Sequence, residues 1–157
     1  MQVNDATNRQ AKENQKIRAL LETHEAILAF DGDCSLCNGT VRFILRWERK
    51  PKLSFLALQS EMGEQVSAHF FPDSKVPDSI ILIHKQQVFV KSEAALRIAG
   101  LMGGIFRIFL VIKVLPLSWR DAVYDWVARN RRRWFGTSAY CGLNEKKDQE
   151  RFLDVQL

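Results

Sequence analysis

A chain of 157 residues with 46% hydrophobic and 26% charged residues has the size and composition of one globular domain. Such a domain buries about 68–70% of its unfolded surface and needs neither disulfides nor a structural metal to be stable. Three cysteines are too few for a secreted disulfide scaffold, and the opening MQVNDATNRQAKENQK lacks the apolar stretch of a signal peptide. The net charge of +5 is mildly basic and suits an anionic partner.

Residues 1–24 are polar and rich in Lys, Glu, Asn and Gln. They read as an N-terminal arm or as a surface helix over 8–23. Glu25–Phe30 is a short apolar run ahead of Asp-Gly and predicts a buried strand. From Ser35, the residues Leu36, Thr40, Phe43, Ile44 and Trp47 recur at helical spacing until Pro51 closes the helix. LSFLAL (53–58) predicts a second strand, and Ser60-Glu61 opens a polar helix over 60–70. Pro72 and Pro77 bracket a loop. SIILI (79–83) and VFV (88–90) flank His84–Gln87, a hairpin signal.

Ser92 is a suitable N-cap for a helix over 93–102. Gly103-Gly104 breaks it, and a more apolar helix runs on to Leu115. Ser118 caps a last helix, with Trp119, Val123, Trp126 and Val127 along one face. The 104–115 segment and the tryptophans at 119, 126 and 134 either cover the sheet or form a docking surface, and core is the expected role for most of them. The longest apolar stretch, 101–117, carries Arg107 and Lys113 and falls short of the ~20 residues that span a bilayer. It reads as a buried or interfacial helix.

Strand, helix, strand must give a parallel pair with a right-handed crossover, and the later hairpin is antiparallel. The expected fold class is α/β: a thioredoxin-like mixed four-stranded sheet (βαβ plus ββα). Helices cover both faces and a helical extension follows. The expected division is an arm at 1–24, this domain at 25–142 and a tail at 143–157.

The chemistry concentrates in ILAFDGDCSLCNG (27–39). Cys34 and Cys37 fall where a strand ends and a helix begins. Residues three apart at a helix start share a face, and the positive end of the helix favours a thiolate. Cys34, at the open end, is the expected nucleophile and Cys37 the resolving thiol. Asp33 is a candidate N-cap, and Asp31 a candidate proton acceptor for Cys37. Strand 4 runs parallel to strand 1, so Lys91 and Ser92 end at the cysteines' edge of the sheet, and Lys91 can lend positive charge to a thiolate. Pro77 stands where thioredoxin-like folds often place a cis-proline. Cys141 reads as a second resolving thiol, a metal ligand or a packed side chain.

Two rivals use the same residues. In a dehalogenase-type phosphatase, Asp31 would be nucleophile and Asp33 acid/base, but no later strand supplies the acidic pair for Mg²⁺. In a zinc protein, Cys34, Cys37, Cys141 and one of His24, His69 or His84 would form a Cys₃His cage, but there is one Cys-x-x-Cys pair and no histidine at a diagnostic spacing.

The chain resembles the DCC family of thiol-disulfide oxidoreductases, named for an Asp-x-x-Cys-x-x-Cys motif that reads here Asp31-Gly32-Asp33-Cys34-Ser35-Leu36-Cys37. The similarity continues through VRFILRWE (41–48), FLALQS (55–60), DSIIL (78–82), KSEAALRI (91–98), LPLSWRDAVYDWVARNRRRWFG (115–136) and Cys141. It implies a thioredoxin-like fold and dithiol–disulfide exchange, with Asp31, Cys34 and Cys37 matching the named motif. It also marks Gln59-Ser60, Asp78-Ser79, Ser92 and Arg129–Arg133 without assigning their roles.

The expected activity uses no bound cofactor and no metal. A disulfide-containing protein or small molecule is the substrate and an external thiol the reductant; Arg129–Arg133 reads as a solvated basic helix end or as the contact for an anionic partner. A cytoplasmic location follows, with a position peripheral to the membrane left open. The competing class is a non-enzymatic thioredoxin-like binding module that presents the basic segment.

Overall fold

The structure is a computed structural model, and it describes residues 3–72, 75–77, 79–137 and 149–153. Its centre is β1 (Ala26–Phe30), buried at all five positions. β1 pairs in parallel with β2 (Leu53–Ala57) and antiparallel with β3 (Ile81–His84). β3 pairs antiparallel with β4 (Gln87–Val90), so the sheet order is β2-β1-β3-β4. This is the mixed four-stranded sheet that the element order predicts. β1 and β2 read as continuous apolar runs because both faces of the sheet are covered.

Alternate residues of β1 feed two cores. Leu28 and Phe30 meet Val41 and Ile44 of α2 (Ser35–Trp47) and Ala94 and Ile98 of α4 (Lys91–Met102). Ile27 and Ala29 meet Ile17 of α1 (Val3–Thr23) and Met62 and Val66 of α3 (Glu61–Phe70). Each fully buried Phe, Leu or Ile contributes about 1.5–3 kcal/mol by transfer from water. At α3 the chain approaches β2 so closely that a side chain on Gly63 would run into the Ala57 carbonyl oxygen. Only glycine fits there.

Several sequence expectations need correction. α1 begins at Val3 rather than near residue 8, and buried Ile17 docks it on the sheet. β3 starts at Ile81, because the Ile80 N–H donates to the Tyr124 hydroxyl (3.0 Å) rather than to the ladder. The hairpin turn is only Lys85-Gln86, both at positive φ, as a type I′ turn requires. α4 is capped by Val90, and Ser92 lies within the helix. Gln149–Leu153, assigned to a tail, pack on the fold. Phe152 is buried and stacks on Phe55 at 5.3 Å, and Arg151 ion-pairs Glu48.

After α4 comes a 3-10 helix (Gly104–Val114) with no buried residue, and then α5 (Leu117–Phe135). The expectation that this apolar segment and the tryptophans belong to the core is wrong. Trp119, Trp126 and Trp134 are all exposed. The opposite face of α5, carrying Tyr124 and Arg131, takes the inward position.

Candidate functional site

β1 ends at Phe30, and four residues later Cys34 is the N-cap of α2, in extended conformation. The Asn38 N–H donates to the Cys34 carbonyl (3.0 Å) and closes the first turn, on which Cys37 lies. Both cysteines are free thiols and both are buried. Cys34 stands at the open end of the helix, as expected, but its side chain is covered. Thr137, just past the end of α5, pairs with Cys34 in an antiparallel bridge.

The two thiols are in hydrogen-bonding contact. Burial first, then this bond and the charge Cys34 carries as a thiolate, push the Cys37 thiol up to about 12. The nearby Asp31 carboxylate acts in the same direction, and Arg131 acts against it. Cys37 therefore holds its proton through the neutral range.

The Arg131 guanidinium is buried between a sulfur and a carboxylate. Its Nη1 lies 3.6 Å from Cys37 Sγ and its Nη2 3.3 Å from Asp31 Oδ2. Arg132 Nη2 donates to the same Asp31 oxygen at 3.0 Å. Asp31 Oδ1 accepts from Gln59 Nε2 (2.7 Å) and from the Asp33 N–H (3.0 Å). Burial alone would raise the Asp31 carboxyl, but the bonds from Arg132, Gln59 and the Asp33 N–H, with the Arg131 charge, hold it below its ordinary value. Gln59 Oε1 also accepts from the Gly32 N–H (2.9 Å), and Asn38 Nδ2 donates to the Gly32 carbonyl (2.7 Å). The Asp31–Asp33 turn is thus fixed from three sides.

Asn38 is absent from the site expected from sequence, and Gln59 and Arg131, the latter within Arg129–Arg133, enter there without a role. The signal for Arg131 is its spacing: Tyr124, Ala128 and Arg131 share one face of α5, and Tyr124 is anchored at β3.

The other expected residues sit as follows. Asp33 is exposed and does not cap α2; Cys34 occupies the cap position without a side-chain bond. Lys91 Nζ ion-pairs Asp125 (2.8 Å), so the cation against the dithiol is Arg131. Ser92 Oγ donates to Asp121 Oδ1. Both contacts staple α5 to the start of α4. Pro77 is not cis, for no cis peptide bond occurs among the described residues. Asp78 and Cys141 lie outside the described residues.

The rival sites do not assemble among the described residues. His84 pairs with Ala26, at the end of β1 remote from Cys34. His24 bonds Ser54, and His69 bonds Asn14. No three His, Cys, Asp or Glu side chains gather there as a metal site. Asp31, the phosphatase nucleophile of the rival reading, is engaged by two arginines.

Residues 28–137 match the family model described as DCC1-like thiol-disulfide oxidoreductase. The chain is 37% identical over 127 residues to the uncharacterized protein YuxK of Bacillus subtilis (strain 168), covering 81% of this chain and 93% of that one. It is 36% identical over 126 residues to a chloroplastic DCC family protein of Arabidopsis thaliana, covering 78% of this chain and 72% of that one. No solved structure matches it. With the Asp-x-x-Cys-x-x-Cys residues gathered at one helix mouth and the match running from β1 past the end of α5, the chain belongs to the DCC1-like thiol-disulfide oxidoreductase family.

Proposed function

We propose that the protein exchanges disulfides through Cys34 and Cys37, with Cys34 as nucleophile. The observation that carries this reading is the contact of two free thiols at the start of α2, one of them touched by a buried guanidinium.

The Cys34 thiolate attacks a substrate disulfide. A Cys34–substrate bond forms, the substrate S–S bond breaks, and one substrate sulfur leaves as thiolate and takes a proton. Formation of this mixed disulfide removes the charge on Cys34 and its bond to Cys37, two of the contributions that hold the Cys37 proton. Arg131 then favours the Cys37 thiolate. Cys37 attacks Cys34 Sγ, releases the second substrate sulfur and leaves the Cys34–Cys37 disulfide. Two electrons have passed to the substrate, and an external thiol of a reducing cytoplasm restores the dithiol.

Asp31, held below its ordinary pKa, is a weak base at neutral pH. Its role in this scheme is to position Arg131 and Arg132. Because Cys34 is buried, the chain around it has to open for a substrate to enter.

The test is turnover of glutathione disulfide with a thiol reductant. Cys34→Ser should abolish it, and Cys37→Ser should stop at a mixed disulfide on Cys34. Absence of turnover in the parent, with Cys34→Ser indistinguishable from it, favours the binding-module alternative.

A further inference from the structure

The outer face of α5 carries Trp119, Val123, Trp126 and Trp134, between 48% and 70% exposed. Beside it, Ile105, Ile108, Val111 and Val114 of the 3-10 helix are between 67% and 86% exposed. An edge-to-face contact between Phe106 and Phe43 (5.4 Å) carries the apolar surface on to Phe43 and Trp47 of α2. Between α4, the 3-10 helix and α5 lies an apolar cavity of about 740 Å³, lined by Leu96, Ile112, Leu115, Trp119 and Val123 among others. Single exposed hydrophobics are ordinary, but a contiguous face of this kind marks an interaction site.

The charges around the face are mostly basic. α2 and the 3-10 helix contain no acidic residue and contribute Arg42, Arg46, Arg107 and Lys113, the last of them paired with Glu93 of α4. α5 adds exposed Arg129 and Arg133, while its acids, Asp121 and Asp125, are engaged by Ser92 and Lys91. A second copy of the chain laid on this face would bring arginine against arginine. An anionic lipid surface satisfies both features. Tryptophans sit at the level of the headgroups, and long basic side chains reach the phosphates past an apolar body. Among the described residues no helix is long and apolar enough to cross a membrane, so the face would lie on the bilayer.

We infer that the surface running from α2 across the 3-10 helix to the outer stripe of α5 docks the protein peripherally on an anionic lipid bilayer. This inference does not depend on the thiol chemistry.

The full chain is sedimented with vesicles of phosphatidylcholine alone and of phosphatidylcholine with phosphatidylglycerol. Partition onto the anionic vesicles should be at least about ten-fold stronger. It should weaken with salt and shift tryptophan emission to the blue. The double variant Ile108→Asp, Val114→Asp should lose about ten-fold or more of this binding. Its thermal midpoint should stay at the parent value, since both residues are exposed. Equal partition onto both vesicle types, binding to neither, or undiminished binding by the variant would overturn the inference. So would a blue shift that grows with protein concentration in the absence of lipid, which is the signature of self-association.

Discussion

Arg131 places its Nη1 3.6 Å from the sulfur of Cys37, a residue 94 positions earlier in the chain. A guanidinium there donates to the reduced Cys37 sulfur and so favours the reduced pair over the disulfide. Arg131→Met removes that preference, so the midpoint potential of the Cys34–Cys37 couple should become more negative. The expected shift is on the order of 30 mV, a tenfold change in the exchange equilibrium. Equilibration with glutathione buffers measures it. The same variant should lose about 3 kcal/mol of stability, because it breaks a buried ion pair. Arg131→Lys should recover part of the potential.

Asp31 gives the fold an acid-sensitive contact. Its carboxyl is held below the ordinary value by Arg132, Gln59, the Asp33 N–H and Arg131, against the effect of burial. A lowered carboxyl contributes stability that is complete above the unfolded value, near ~3.9, and is lost as pH falls through the folded one. Asp31→Asn should therefore be less stable than the parent at neutral pH, by about 2 kcal/mol. The gap should close below pH ~4. Denaturant midpoints across pH measure it; Glu93 titrates in the same window but is common to both proteins.

Cys37 imposes the opposite dependence. The folded protein keeps its proton up to about 12, against an ordinary value of 9.0. The stabilisation is complete below the ordinary value and is lost as pH rises through the folded one. Reduced parent protein should thus lose stability from pH 9 upward, with a slope of up to about 1.4 kcal/mol per pH unit. Cys37→Ser should lack this component. Chemical unfolding of both proteins along an alkaline pH series checks it.

Gly136 sets the backbone turn that brings Thr137 into its bridge with Cys34. It ends α5 at φ 71 and ψ −173, a region essentially restricted to glycine. Gly136→Val makes that conformation cost about 1–3 kcal/mol and should turn Thr137 away from Cys34. Alkylation of Cys34 by iodoacetamide, followed by peptide mass, should become faster. An unchanged rate would mean that something other than this segment shields the thiol.

The β1–α2–β2 order, the hairpin and the placement of the dithiol were legible in the sequence. Ala26–Phe30 is an unbroken apolar run, and Cys37, Val41 and Ile44 recur at helical spacing. Such local patterns fix the kind of element regardless of what packs on it. Arg131 was harder to find. By composition Arg129–Arg133 is one basic cluster, but consecutive helix residues point about 100° apart. The run therefore splits, with Arg131 turned to Cys37, Arg132 to Asp31, and Arg129 and Arg133 to the exterior. The tryptophan stripe misleads for a related reason. Periodicity tells which side chains share a face and not whether the fold covers it. Here the partly buried Tyr124 and buried Arg131 hold the inner side of α5.

The most direct test is the mass of the protein in glutathione buffers of stepped ratio. The Cys34–Cys37 disulfide should form and reopen reversibly as the ratio changes, and Cys37→Ser should accumulate one glutathione on Cys34. No disulfide between these cysteines at any ratio, or exchange by Cys34→Ser at the parent's rate, would contradict the account.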